Sequence, residues 1–251
     1  MPEEVLSGGN VADVVVRVGD TVRKPATLAT PVVEALLRHL DREGFSAAPK
    51  TLGIDDRGRH VLEYIPGEPA DKTAPLDEDE LHRLGALVRQ LHEATSTFVP
   101  GPEARWSVVS PPDREDLVIH HDIAPWNLLR GGDRWVIIDW DGAGPGSRLW
   151  ELAYTGQTFA GLWEGQDPTR CAPRLLALVD GYRLDLEQRG ALPGVLSART
   201  WSMYDLLRRG HASGQQPWAR LYREGHWQSW FNAASFVDRH RQVWAAALDA
   251  P

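Results

Sequence analysis

Between two short apolar stretches, residues 117–119 and 135–138, the chain reads His120-His121-Asp122-Ile123-Ala124-Pro125-Trp126-Asn127, and the second stretch runs straight into Asp139. Apolar runs this short, bounded by polar and proline-containing segments, read as strands. The spacing from Asp122 to Asn127 lets one loop present both, and Asp139 follows twelve residues later at the end of the second stretch. With 9 His, 20 Asp and 3 Asn in 251 residues, chance supplies the spacing His-x-Asp-x4-Asn roughly 0.01 times, far below what short motifs usually give.

Phosphoryl transfer explains those residue types. The transferred group needs an in-line hydroxyl, a carboxylate beside that hydroxyl, and a divalent metal bridging the phosphate oxygens. Asp122 would orient the acceptor hydroxyl and take its proton late. Asn127 offers a neutral oxygen and Asp139 an anionic one, both suited to Mg²⁺. The bland alternative is a turn with a capping Asp and Asn, followed by an unrelated aspartate at a strand end.

The rest of the chain divides by pattern. The first 66 residues read as strands with one helix: a valine-rich strand over residues 11–18, a Gly19-Asp20 turn, a returning strand over 21–24, and a further strand over 59–65. Pro25 ends the second strand, and Pro66-Gly67 breaks the last one. Thr30-Pro31 supplies a helix cap and first turn, Val33, Leu36, Leu37 and Leu40 recur at helical spacing, and Gly44 stops the helix. After residue 70 helices dominate, over 77–95, 148–163, 170–189, 197–209 and 227–248, while residues 113–129 look irregular around one strand. The expected organisation is α+β: a small β-rich lobe over 1–66, a larger helical lobe over 67–251, and a ligand cleft between them.

Composition excludes several classes. Apolar residues make up 42% and charged residues 25%, which suits a globular enzyme and not a disordered tail. No run of 18 apolar residues occurs, and residues 1–20 lack an apolar segment behind basic ones, so neither a membrane span nor a secretory signal is expected. Cys171 stands alone, which excludes an internal disulfide and fits the cytoplasm. The net charge of −8 argues against nucleic acid as a partner. Acidic groups concentrate in residues 71–160, with 15 against 8 basic ones, whereas residues 161–251 carry 9 against 11. The His-Glu-x-x-His and Gly-x-Ser-x-Gly patterns of hydrolases are absent from the sequence.

Taken together, these residues make the chain resemble the aminoglycoside phosphotransferase family, small-molecule kinases of the protein-kinase-like fold. The resemblance runs by motif from about Leu6 to Glu151. It implies a bilobal fold, ATP or GTP as donor, Mg²⁺, and a small-molecule hydroxyl as acceptor. By motif, Asp122 matches the catalytic aspartate, and Asn127 and Asp139 match the metal ligands. His120 matches the histidine that braces the catalytic loop. Lys24 matches the lysine that grips the phosphates, with Glu34 on the following helix as its ion-pair partner. Strand alternation sets Lys24 and its neighbour Arg23 on opposite faces. Gly8 and Gly9 stand where such kinases place a loop over the phosphates, though Gly-Gly-Asn also suits an ordinary turn. Glu63 to Ile65 match the hinge whose backbone bonds the purine; a plain strand end is the alternative.

The chain also departs from the family pattern. His121 stands where the family often has glycine, and Glu151 where it usually has aspartate to anchor the catalytic loop. Asp141 follows the metal aspartate by two residues, as a metal or substrate neighbour or as a loop cap. Basic helices at the carboxy terminus argue against a polycationic acceptor. Trp126, Trp201, Trp218, Trp227, Trp230 and Trp244 suit either stacking on a flat ligand or packing. Two functions follow. The first is a small-molecule kinase; the second is a catalytically silent nucleotide-binding module that regulates a partner. A protein kinase fits poorly, because Asp139 runs almost directly into residues 149–153 with no room for an activation segment.

Overall fold

The computed structural model describes residues 2–6, 15–131 and 134–249. Its first unit is an antiparallel sheet of β1 (Glu4–Leu6), β2 (Val15–Val18), β3 (Thr21–Pro25), β4 (Thr51–Ile54) and β5 (Arg59–Glu63), ordered β1-β2-β3-β5-β4. The Gly19-Asp20 turn forms as expected: Val18 pairs with Thr21, and Gly19 takes φ 61 to close a two-residue hairpin. Residues 11–14 of the expected valine strand, with Gly8 and Gly9, lie outside the described residues. β4 escapes a pattern search because Gly53 interrupts it, at φ 93 beside a shift in register.

Helix α1 (Thr30–Arg42) follows β3 and buries Val33, Leu36, Leu37 and Leu40. Its start differs from expectation. Ala29 occupies the cap position, and Thr30 lies inside the first turn, where its hydroxyl accepts the Thr27 N–H at 2.8 Å. A second set of elements carries the chain into the helical part. β6 (Glu68–Pro69), β8 (Leu128–Gly131) and β9 (Arg134–Ile137) form one small sheet, and β7 (Leu117–Ile119) pairs with β10 (Gly144–Gly146) in another. These ribbons frame residues 120–127.

Helix α2 (Glu78–Thr95) begins at Asp77 with a reciprocal Asp77–Glu80 capping box. Then come α3 (Arg148–Phe159), α4 (Pro168–Tyr182), α5 (Leu186–Ser213), α6 (Trp218–Arg223), α7 (His226–Arg239) and α8 (Arg241–Leu248). Two boundaries correct the sequence expectation. The stretch 170–189 breaks at Arg183, which adopts φ 63, and a second capping box, Asp185–Gln188, starts α5 there. That helix then runs on through Pro193 and takes in the expected stretch 197–209. Pro193 is buried in its third turn, so packing outweighs the hydrogen bond lost at its nitrogen. The stretch 227–248 splits at His240.

Helices α2 and α4 cross through glycine. A Cβ on Gly85 would lie 2.0 Å from the Leu178 carbonyl oxygen, and one on Gly181 would lie 1.9 Å from that of His82. The two backbones therefore meet with no side chain between them. Gly85→Ala should push the helices apart and cost about 3 kcal/mol, the upper end of ordinary overpacking. Urea unfolding measures it; a loss below about 1 kcal/mol would show that the crossing adjusts easily.

Candidate active site

The loop after β7 is held from below by Glu151, in the first turn of α3. Ser147 caps that helix, its hydroxyl accepting the Trp150 N–H, and so fixes where Glu151 points. The fully buried Glu151 Oε2 accepts the N–H of His120 at 2.5 Å and of His121 at 3.1 Å. Burial pushes its pKa up to about 7, against those two hydrogen bonds and the nearby Arg199 charge. The anchoring role implied for this position is thus carried by glutamate in place of aspartate.

His120 braces the loop as the resemblance implied. Its Nδ1 accepts the Asp122 N–H at 3.2 Å, so the proton sits on Nε2, which donates to the Ile138 carbonyl at 3.0 Å. One ring thereby ties the loop to the residue before Asp139. Burial holds its pKa down at about 4. His121 is packed, not presented to a ligand: it is 6% exposed and its Nε2 lies 3.0 Å from the Pro145 carbonyl. It also sits at φ 70, a left-handed conformation that glycine adopts freely and histidine does not. That explains in physical terms why glycine suits this position.

Asp122 and Asn127 are brought together. The Asn127 Nδ2 donates to the Asp122 carbonyl at 2.9 Å and to its Oδ2 at 2.8 Å. The Ile138 N–H donates to the Asn127 carbonyl at 2.9 Å, which sets Asn127 one residue from Asp139. Burial pushes the Asp122 pKa up to about 6; Tyr154 and Trp126 approach the carboxylate with hydrogen-bonding groups that oppose the rise, and the charge of Asp139 adds to it. Asp139 itself takes φ 64 and leaves its side chain half exposed.

Lys24 reaches this cluster from β3. Its Nζ stands 2.8 Å from Asp141 Oδ2 and 3.4 Å from Asp139 Oδ1. Burial lowers its pKa, yet the two aspartates outweigh that and leave it raised. Arg23 turns the other way and pairs with Asp55 at 3.2 Å, as strand alternation requires. The expected Lys24–Glu34 ion pair is not formed among the described residues. Glu34 instead accepts the Thr51 hydroxyl at 3.0 Å and pairs with Arg38 at 3.5 Å, because α1 and the neighbouring β4 compete for it. Asp141 takes its place as the partner of Lys24.

The segment from Glu63 to Ile65 leaves β5 toward the small sheet. The Glu63 carboxylate is committed to Arg134 at 3.0 Å and to the Lys50 N–H at 3.1 Å, so only backbone groups remain to meet a purine. The Glu63 and Tyr64 N–H groups bond Lys50 and Asp20 carbonyls, and Ile65 packs on Leu129 and Val136. A divalent cation fits the donor set. Asn127 keeps its amide oxygen as an acceptor, Asp139 is accessible, and the Lys24 ammonium already stands among these carboxylates as an internal cation.

Two contributors escape sequence reading. Arg199 of α5 is 3% exposed and donates to the His121 carbonyl at 2.9 Å. Tyr154 of α3 faces Asp122 and stacks on Trp230, centroids 6.1 Å apart. Nothing marks an arginine 77 positions from the loop, although a buried arginine on an otherwise apolar helix face is a signal once the helix is known. The carboxy-terminal tryptophans mostly pack helices: Trp201 and Trp227 join Tyr204 and Phe231 between α5 and α7, and Trp244 is fully buried. Trp126 remains 40% exposed beside Asp122.

The buried titratable groups make stability depend on pH. Burial pushes His92, His120 and His121 down to about 3, 4 and 4, so near pH 5 they are charged only when unfolded. Stability from them is present above pH 6.5 and is lost on acidification. Asp122 and Glu151 are raised and act oppositely, being protonated near pH 5 only when folded. Unfolding should therefore take up about one net proton from these five groups near pH 5, so stability falls as pH drops below 6.5. Glu151→Gln removes one opposing group and should raise the uptake to about two. Urea midpoints measured from pH 7 to 4.5 check both slopes.

Comparison with known proteins places this geometry. Residues 102–189 match the phosphotransferase enzyme family, APH. Over 271 aligned residues the chain is 30% identical to the trifolitoxin immunity protein of Rhizobium leguminosarum bv. trifolii, covering 99% of this chain and 100% of that one. Among solved structures it is similar to a choline/ethanolamine kinase family protein from Mesorhizobium loti, with TM-score 0.65, 19% identity, and 99% and 92% of the two chains covered. It is also similar to the amicoumacin kinase solved with AMP-PNP, Ca²⁺ and amicoumacin, with TM-score 0.67, 13% identity, and 97% and 88% covered. The fold is thus the bilobal kinase-like one, a β-rich part followed by a helical part. The chain belongs to the phosphotransferase enzyme family.

Proposed function

We propose that this chain is an ATP-dependent kinase that transfers the γ-phosphoryl group to a hydroxyl of a small molecule. The observation that carries the reading is the convergence of Lys24, from the amino-terminal sheet, with Asp139, Asp141, Asn127 and Asp122 in one cluster. A protein that only binds nucleotide has no use for a half-buried carboxylate next to the metal-type pair. That weighs against the silent regulatory module.

In this reading Asp122 orients the acceptor hydroxyl and receives its proton. A pKa of about 6 leaves it ionised at pH 7 and close to the pH at which it works. The Asn127 amide donates to Oδ2 and fixes which oxygen is free for the acceptor. Asn127 and Asp139 would hold Mg²⁺, which when bound neutralises the phosphate charge. Lys24 holds the phosphates, exchanging its aspartate contacts for phosphate oxygens. Backbone groups from Glu63 to Ile65 would meet the purine of ATP, or of GTP, and Gly8 and Gly9, assigned by the resemblance alone, would serve the phosphates. The lobe boundary is taken at residues 66 and 67, where Pro66-Gly67 leaves the sheet. The acceptor classes to test are hydroxylated antibiotics, sugars, amino alcohols and, from the immunity protein's name, a toxin.

The test is nucleotide consumption against those acceptors. Asp122→Asn keeps size while removing the proton acceptor, so transfer should fall by about 10²-fold or more with ATP affinity within a few-fold of the parent. Undiminished transfer would sink the mechanism, and tight Mg–ATP binding with no turnover on any acceptor would favour the regulatory module.

Lys24→Ala should weaken nucleotide use while Arg23→Ala leaves it near the parent value, because Arg23 is bound to Asp55 on the opposite face. The reverse outcome would transfer the phosphate role to Arg23. Chelating Mg²⁺ should weaken ATP binding in the parent and do so less in Asn127→Ala; equal affinity with and without the cation counts against these ligands.

A further inference from the structure

The catalytic loop carries a strained residue whose neighbours are all held. His121 adopts φ 70, a conformation that costs a non-glycine residue roughly 1–3 kcal/mol and persists only where surroundings over-determine it. Glu151 holds the N–H groups of His120 and His121. The next peptide group, joining His121 to Asp122, is held at both ends. Its N–H donates to His120 Nδ1 at 3.2 Å, and its carbonyl accepts the Arg199 Nη2 at 2.9 Å. A peptide group is planar, so two opposed hydrogen bonds fix its orientation and with it the start of the Asp122 side chain.

Arg199 also reaches past the backbone. Its guanidinium carbon lies 4.2 Å from the centroid of Tyr154, the ring that faces Asp122, and Nη1 donates to Ser202 at 3.1 Å. Keeping this cation 3% exposed is costly unless it is compensated, and the carboxylates of Asp122 and Glu151 supply the opposite charge.

We propose that Arg199 is a positioning residue for phosphoryl transfer, pinning the His121–Asp122 peptide and the Tyr154 ring so that Asp122 meets the acceptor at a fixed angle. The proposal rests on the kinase reading for its kinetic part and on the loop geometry alone for its structural part. It assigns to α5 a role in the reaction that no contact with substrate or nucleotide is needed to explain.

The test uses the full chain with Mg–ATP as the probe and water standing in for the acceptor hydroxyl. Arg199→Gln should lower kcat for ATP consumption on the order of 10-fold to 100-fold, as misplacing a catalytic group does, while the Kd for Mg–ATP stays within about threefold. Adding His121→Gly should recover part of that loss, since glycine holds a positive φ without support. Arg199→Lys keeps the buried charge and should fold even if Arg199→Gln does not; with fewer donors it should fall between parent and Gln in kcat. Unchanged kcat in both variants, or equal losses of kcat and nucleotide affinity that glycine fails to relieve, would overturn the role.

A parent that consumes no ATP with water or any alcohol overturns the kinase reading instead. Hydrogen exchange at the Asp122 amide then decides the geometric part: faster exchange in Arg199→Gln or Arg199→Lys upholds the pinning, and an unchanged rate overturns it.

Discussion

A single carboxylate, buried at the start of α3, is the interaction on which the site depends. The two consecutive N–H groups that Glu151 accepts belong to the loop that carries Asp122, and their donors cannot be satisfied by water at that depth. A backbone turning through a left-handed residue needs such an anchor, because the local preference of His121 opposes the turn. From that anchor the order of assembly follows. The loop sets His120, His120 joins the residue before Asp139, and Asn127 is held between Asp122 and Ile138.

The helical part serves this loop at more than one depth. The glycine crossing of α2 and α4 packs two helices at backbone distance, and α3 rests on the same core through Leu152 and Ala153. The end of α3 that bears Glu151 is therefore set by close packing, which is stiff, transmits strain and tolerates little volume change. On the other side, α5 presents Arg199 to the loop from its buried face. The two charged groups that hold the loop, Glu151 and Arg199, thus stand on helices, and the acidic cluster opposite Lys24 is left open to solvent through Asp139.

Much of this was legible in the sequence because it rests on local chemistry. Asp122 and Asn127 share one loop of the motif, and the β8–β9 pairing returns the chain to set Asp139 beside them. The hairpin of β2 and β3 follows from valines and a glycine turn, and strand alternation separates Lys24 from Arg23 correctly. What was not legible depends on competition between distant groups. Glu34 has several partners of opposite or hydrogen-bonding character within reach, and α1 packs it against β4 instead of against Lys24. The stretches 170–189 and 197–209 read as separate helices, yet α5 runs from Leu186 to Ser213 with Pro193 buried inside it. Arg199 and Tyr154 owe their place beside Asp122 to helix packing over long sequence separations. No local rule foretells that.

The pairing of Lys24 with Asp141 and Asp139 changes what the arrival of a polyphosphate means for this protein. The ammonium does not wait in an empty positive pocket; its charge is already compensated inside the chain, at 2.8 and 3.4 Å. If the chain binds nucleotide as proposed, binding would be an exchange of ions. On the kinase reading, phosphate oxygens would take the ammonium, and the two released carboxylates would become free for a cation arriving with the phosphate. In that case the anion and its counter-cation would be coupled, each making room for the other, and a site built this way would favour polyphosphate that arrives with a cation.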